Sequence, residues 1–235
     1  MNPFRRRQFT AMQGAGGAAA FSPASIPGIQ FWYDASQLAL ANNDPVASFT
    51  DLSGNGRHLL QATASYKPTF LTNRQNGLPG VVSDGVDDYM QSAPFTLNQP
   101  THYFIVAKVN TTTGTALFDG SAGFTSRFGV NAGVGGQWFL YSGAFGGPVT
   151  TGVDKSLTHL YAVLSDGANS KISVDGAAAT TGNAGSGSAG GVNIFTVPGA
   201  GHMGAEIYEF TGYNAEITGA NLTALQSYLA AKWGY

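Results

Sequence analysis

The chain has no cysteine, which excludes disulfides and every thiolate metal site. Only 10% of its 235 residues are charged, far below the roughly one quarter usual in globular domains. The 11 Lys and Arg are outnumbered by 13 Asp and Glu, for a net charge of −2. Phosphate backbones are held by concentrated cations, so a nucleic-acid partner is not expected. No stretch approaches the roughly 18 apolar residues of a membrane span, so no membrane partner is expected either. Local catalytic patterns are absent too. There is no Gly-x-Ser-x-Gly elbow, and His58, His102, His159 and His202 are scattered without metal spacing.

What the chain has in quantity is glycine, 33 residues, and aromatic side chains, 12%. Segments 30–33, 101–109, 116–118, 126–131, 137–141, 159–165, 171–174, 191–195 and 205–213 read as strands separated by turn-forming residues. In 101–109, Tyr103, Ile105, Ala107 and Val109 share one face, and His102, Phe104, Val106 and Lys108 the other. Both faces are largely apolar, which predicts a central strand covered on both sides. Asp166-Gly167-Ala168-Asn169 marks a hairpin. Only the C-terminus reads as helix: Leu222, Leu225, Leu229 and Trp233 recur at helical spacing, with Thr218 as cap and Gly234 as stop. Strands do not alternate with helices, so the fold expected is all-β and antiparallel, with the helix on an edge or face.

The densest polar features are two acidic, glycine-rich turns, Asp51-Leu52-Ser53-Gly54-Asn55-Gly56 and Ser83-Asp84-Gly85-Val86-Asp87-Asp88-Tyr89. Asp84, Asp87 and Asp88, with Asp51 and Asn55, offer oxygen ligands of the kind Ca²⁺ takes. The same residue types also hydrogen-bond their own turn backbones beside glycine. The turn reading is preferred, so no cofactor is expected and Ca²⁺ stays an open alternative. Glu206 and Glu209 lie three apart in a strand-like run, and a period of two sends them to opposite faces. No carboxylate pair then flanks one glycosidic bond, nor is there a Glu-x-Asp-x-Glu run, and the expectation is a non-enzyme with no catalytic residue. Trp138 and Tyr141 are candidate glycan contacts, because aromatic rings can stack on sugars. Two Gly-x-Gly-x-x-Gly runs begin at Gly185 and Gly199, but neither leads into a helix, so neither binds a dinucleotide.

Residues 1–26 differ from the rest. Arg5, Arg6 and Arg7 precede an Ala/Gly-rich run that ends before Ile26-Pro27-Gly28. Arg6-Arg7-Gln8-Phe9 can be read as part of a twin-arginine export signal. The preferred reading is an assembly arm in which Arg5, Arg6 and Arg7 pair with acidic groups and Phe4 and Phe9 fill pockets on a partner. The expected organisation is thus an arm, 1–26, and one domain, 27–235.

Several motifs occur in order: Phe31-Trp32-Tyr33-Asp34-Ala35-Ser36, the turn at Asp51, Lys67-Pro68-Thr69, Asn76-Gly77, the turn at Ser83, Glu206-Ile207-Tyr208-Glu209 and Tyr228-Leu229-Ala230-Ala231-Lys232-Trp233-Gly234. This succession resembles the concanavalin A-like lectin/glucanase superfamily in its laminin-G-like branch, which is common in tailed-phage virion proteins and bacterial surface proteins. The resemblance implies a two-sheet antiparallel jelly-roll sandwich with the C-terminal helix against it. It implies little about activity, since the fold hosts lectins, enzymes and structural modules. With the arm, it leads to the expectation of a non-enzymatic virion protein: head decoration, head fibre or tail-associated, oligomeric, and anchored on capsid, portal or tail proteins. The alternatives are a carbohydrate-binding module for host surface glycans and an exported bacterial surface domain.

Overall fold

The computed structural model of the protein describes residues 21–110, 116–121, 125–131, 136–197 and 201–235. The first half carries β1 (Ile29–Asp34), β2 (Ser48–Phe49), β3 (Leu59–Leu60), β4 (Thr69–Gln75), β5 (Leu78–Val82), β6 (Met90–Ser92), β7 (Thr101–Val109) and β8 (Ala116–Asp119). The second carries β9 (Arg127–Asn131), β10 (Gln137–Tyr141), β11 (Val149–Thr150), β12 (His159–Ser165), β13 (Ser170–Val174) and β14 (Thr180–Gly182). It ends with β15 (Asn193–Ile194), β16 (Thr196–Val197), β17 (Gly201–His202), β18 (Ala205–Tyr213) and the helix α1 (Gly219–Trp233).

Two eight-stranded antiparallel sheets face each other. The first runs β14-β13-β12-β7-β18-β5-β4, with β1 also paired to β18, and the second runs β11-β10-β9-β8-β15-β6-β3-β2. The expected all-β sandwich with one C-terminal helix is what the chain forms. β7 lies at the centre of the first sheet and divides its side chains as its alternation predicts. Tyr103, Ile105, Ala107 and Val109 join the core between the sheets, while Phe104 and Val106 join the layer under the helix. Phe31, Phe118 and Phe210 fill the middle of the inter-sheet core, with Phe31 edge-on to Phe210 at 4.9 Å and Phe118 at 5.1 Å. Each such ring contributes about 1.5–3 kcal/mol by leaving water.

The helix covers the outer face of the first sheet, where Leu225, Leu229 and Trp233 pack on Phe104, Val106, Leu160, Ala162, Tyr208 and Tyr213. Gly234 ends it in the left-handed conformation, its N–H bonding the Ala230 carbonyl at 2.8 Å. Thr218 sits at the N-cap, but its side chain makes no cap bond. The close approach of sheet and helix layer explains one glycine inside a strand: a Cβ on Gly80 would meet the Tyr208 ring at 2.8 Å. Residues 21–26 belong to this packing. Phe21 lies 5.5 Å from the Tyr228 ring, Ile26 is buried, and the Tyr213 hydroxyl donates to the Pro23 carbonyl at 3.2 Å.

His102 is buried in the same layer, where its Nδ1 accepts the Ile217 N–H at 3.0 Å. Burial, and then the charge of Lys171, pushes its pKa down to about 3. A depressed histidine contributes stability that is present above its unfolded pKa of about 6.5 and is lost as pH falls below that, by about 1.4 kcal/mol per unit. Between about pH 6.5 and 5, wild type should therefore lose about 2 kcal/mol more than His102→Asn. Parallel urea-denaturation curves for the two proteins across that window would show the assignment to be wrong.

Candidate functional site

At the middle of the second sheet, side chains divide between its two faces. Met90, Phe118 and Ile194 point into the core, so their neighbours Gln91, Asp119 and Asn193, aligned across β6, β8 and β15, lie on the face opposite the first sheet. Exposed Leu60, paired with Gln91, continues that row. One break in alternation builds a site here. Ile194 and Phe195 both enter the core, with Phe195 in the left-handed region at φ 66°, a conformation costing about 1–3 kcal/mol outside glycine. The extra inward residue returns Thr196 to the same side as Asn193. Thr196 pairs with His202 in the β16–β17 hairpin, which rises beside the sheet.

Tyr66, Asp87, Tyr89, Gln91, Asn193, Thr196 and His202 enclose a pocket of about 360 Å³. Its wall is aromatic: Tyr66 and Tyr89 lie 5.9 Å apart, and Tyr89 and His202 6.0 Å. The Tyr89 backbone is fixed by its N–H to the Tyr66 carbonyl at 3.1 Å and by the Gln61 amide donating to its own carbonyl, also at 3.1 Å. Asn193 is fully buried, and its Nδ2 donates to the Gly120 carbonyl at 2.8 Å. Its Oδ1 has no partner among the described residues. An unsatisfied buried acceptor costs about 1–3 kcal/mol.

The acidic turns prove to be largely architecture. Asp51 accepts the Trp32 and Ser53 N–H groups on Oδ1 at 3.0 and 2.9 Å and the Arg57 N–H on Oδ2 at 2.9 Å, tying its loop to β1. In the second turn Asp84 Oδ1 accepts the Val86 N–H at 2.8 Å, and Asp88 Oδ2 accepts the Asp84 N–H at 3.0 Å. Gly85 supplies the left-handed corner at φ 78°. The carboxylate oxygens of Asp84, Asp87 and Asp88 come within 4.8 Å of one another, which is three of the six to eight oxygens Ca²⁺ takes. Burial, followed by the charges of Asp84 and Asp87, pushes Asp88 up to about 6. Asp87 turns instead toward the pocket.

Other expected site residues are placed elsewhere. Trp138 is 0% exposed and stacks on Phe128 at 4.7 Å inside the sandwich, so it presents no face to a sugar. Alternation in β10 puts it on the core side and leaves Phe139 and Tyr141 on the open face. Tyr141 is half-buried there, 4.8 Å from the ring of Phe145, which is 89% exposed. Phe4, Arg5, Arg6, Arg7 and Phe9 lie outside the described residues.

Glu206 and Glu209 do not point to opposite faces. A β-bulge between Ile207 and Glu209 shifts the register, so Ile207 and Phe210 enter the core while both glutamates turn toward the helix layer. Glu206 is buried and accepts two bonds from Arg74, at 2.9 and 2.6 Å, and one from the Tyr208 hydroxyl at 2.9 Å. Burial opposes its charge, but these partners outweigh it and hold its carboxyl below the ordinary value. Glu209 accepts from the Trp32 and Trp233 indoles at 2.8 and 2.7 Å and from Lys232 at 2.9 Å. Glu209 is thus occupied in holding the helix to the sheet, and Glu206 in pairing β18 side chains with Arg74 of β4.

No protein-family model matches the chain, and no curated protein matches it. Solved structures do share its fold. Trypanosoma rangeli sialidase in complex with sialic acid superposes with a TM-score of 0.58 at 13% identity, over 92% of this chain and 34% of that one. Domain 4 of a GH43 extracellular arabinanase from Geobacillus stearothermophilus, in complex with arabinotriose, gives 0.59 at 14% identity, over 85% of this chain and 99% of that one. A mutant GH54 α-L-arabinofuranosidase gives 0.57 at 13% identity, over 80% and 51%. The chain spans about a third of the sialidase it matches.

These likenesses correct the expectation of a non-enzyme. It rested partly on Glu206 and Glu209 facing apart, which the bulge removes, and the matched structures come from glycosidases. The non-enzyme assignment is withdrawn. None of the three is a virion protein. At this identity the likeness is one of fold: a two-sheet antiparallel sandwich of the kind carried by sialidase, arabinanase and arabinofuranosidase chains.

Proposed function

We propose that the chain is a carbohydrate-binding β-sandwich and that the pocket between Tyr66, Tyr89, Asn193 and His202 is its sugar site. The observation that carries this is a pocket of about 360 Å³ walled by the Tyr66, Tyr89 and His202 rings. A saccharide ring has an apolar face to lay on an aromatic side chain and a rim of hydroxyls for polar groups to bond. Gln91 and Thr196 add amide and hydroxyl groups that can both give and receive such bonds. The arabinanase domain supports the reading, because nearly all of it aligns with this chain and it was solved with arabinotriose.

Titration calorimetry against a panel of oligosaccharides tests it. Binding should appear, and Tyr89→Ala should weaken it by about 1–2 kcal/mol, or roughly 5- to 30-fold. Tyr89 is half-buried at the pocket wall, so the variant should unfold at nearly the wild-type midpoint. The proposal fails if no glycan binds, or if Tyr89→Ala binds as wild type does.

A further inference from the structure

We propose that this pocket selects neutral saccharides and rejects those carrying a carboxylate or sulfate. The inference rests on the carbohydrate reading above and adds the charge class of the ligand. Among the described residues seven side chains line the pocket; of these Asp87 is the only carboxylate, and none is a lysine or arginine. Behind Asp87, the Asp84 and Asp88 carboxylates complete an acidic group whose oxygens lie within 4.8 Å of one another. The upward shift of Asp88 has burial as its first cause and the charges of Asp84 and Asp87 as contributors, so the negative field of this turn is felt inside the molecule.

Among the described lining groups, His202 is the one able to carry positive charge. Its Nδ1 lies 3.3 Å from the Asp88 carbonyl oxygen, on the side of that same turn. An acidic sugar would thus bring its anion to a site with one carboxylate on the wall, two more close to that one and, among the described residues, no permanent cation. A neutral sugar meets no such penalty. Its hydroxyls can donate to Asp87, an acceptor that favours a ligand rich in O–H donors.

Paired ligands on the full chain separate this inference from the reading beneath it. The probes are arabinotriose, xylotriose and lactose on the neutral side, with sialyllactose and a trigalacturonate on the acidic side. Titrations at about pH 8 keep an ordinary imidazole neutral. At least one neutral probe should bind, and the acidic probes should bind at least about tenfold more weakly than the best of them. Raising salt from about 20 mM to about 500 mM should narrow that gap by screening. Asp87→Asn should narrow that gap, read as the ratio of neutral to acidic affinity in the same variant, by about threefold or more. Equal or tighter binding of an acidic probe overturns the charge selectivity and leaves the sugar site standing. A gap insensitive to both salt and Asp87→Asn overturns the role given to the acidic turn. Failure of every probe to bind removes the sugar site itself, and this inference with it.

Discussion

Replacing Lys232 by Met should cost about 3–5 kcal/mol of folding free energy at neutral pH, the penalty for leaving buried charge without its partner. Lys232 joins Asp34 and Glu209, which are 2% and 0% exposed, into one buried group. Asp34 also caps the turn after β1 by accepting the Ser36 N–H at 2.9 Å, so the lysine ties the helix to β1 and β18 together. Without it, two carboxylates would face each other away from water. The pH dependence identifies the cause. Burial first, and then the Asp34 charge, raise Glu209 above the usual carboxylate range, against the pull of Lys232. A raised carboxyl favours folding below its unfolded pKa and loses that contribution as pH rises through the folded value. Removing Lys232 raises it further, so Lys232→Met should recover part of its loss as pH drops from neutral toward about 4.5. Lys232→Met with Glu209→Gln should be more stable than Lys232→Met alone, since the uncharged amide still offers an oxygen to the Trp233 indole. Equal denaturation midpoints for the single and double variants would remove charge burial as the cause.

Much of the first sheet was readable because its strands are long. In β7, nine residues long, alternation has room to declare itself, and the sides assigned along it match the packing. The second sheet was harder to see. β2, β3 and β6 are two or three residues long, too short for a period to be distinguished from chance. β5 contains Pro79 and Gly80, which interrupt a strand pattern although Gly80 is required by the Tyr208 ring. The helix was legible as an element, and its partner face was not.

The site followed the same division. The turn at Ser83 was marked out by its aspartates, and Tyr89 came with it, but the pocket also needs Asn193, Thr196 and His202 from more than a hundred residues away. What joins them is a left-handed Phe195, a choice of backbone that an aromatic residue does not advertise. The Glu206 and Glu209 error has the same origin, because a bulge adds one residue to a strand without any marker in composition. Both departures from strict alternation move polar groups to where they are used, one into the pocket and the other under the helix.

Trp138→Ala should cost about 3–5 kcal/mol, as expected when a large buried ring is replaced by a methyl group and the cavity cannot fully close. Trp138 reaches from β10 across the sandwich, its ring 4.7 Å from Phe128 of its own sheet and 4.4 Å from Tyr161 of the other. Trp138→Phe keeps an aromatic ring between these two and should cost much less. Set beside Tyr89→Ala, the substitution separates the two kinds of aromatic residue in this chain. Trp138→Ala should lower the denaturation midpoint sharply and, wherever the protein is still folded, bind saccharide as wild type does. Tyr89→Ala should do the reverse. If Trp138→Ala reduced affinity at an unchanged midpoint, the indole would have to lie at the surface, and the division of β10 into a core side and an open side would be wrong. That division also places Asn193 on the open face, through the pairing of β10 with β9, β9 with β8 and β8 with β15, so a single stability measurement at Trp138 tests the face on which the sugar site is built.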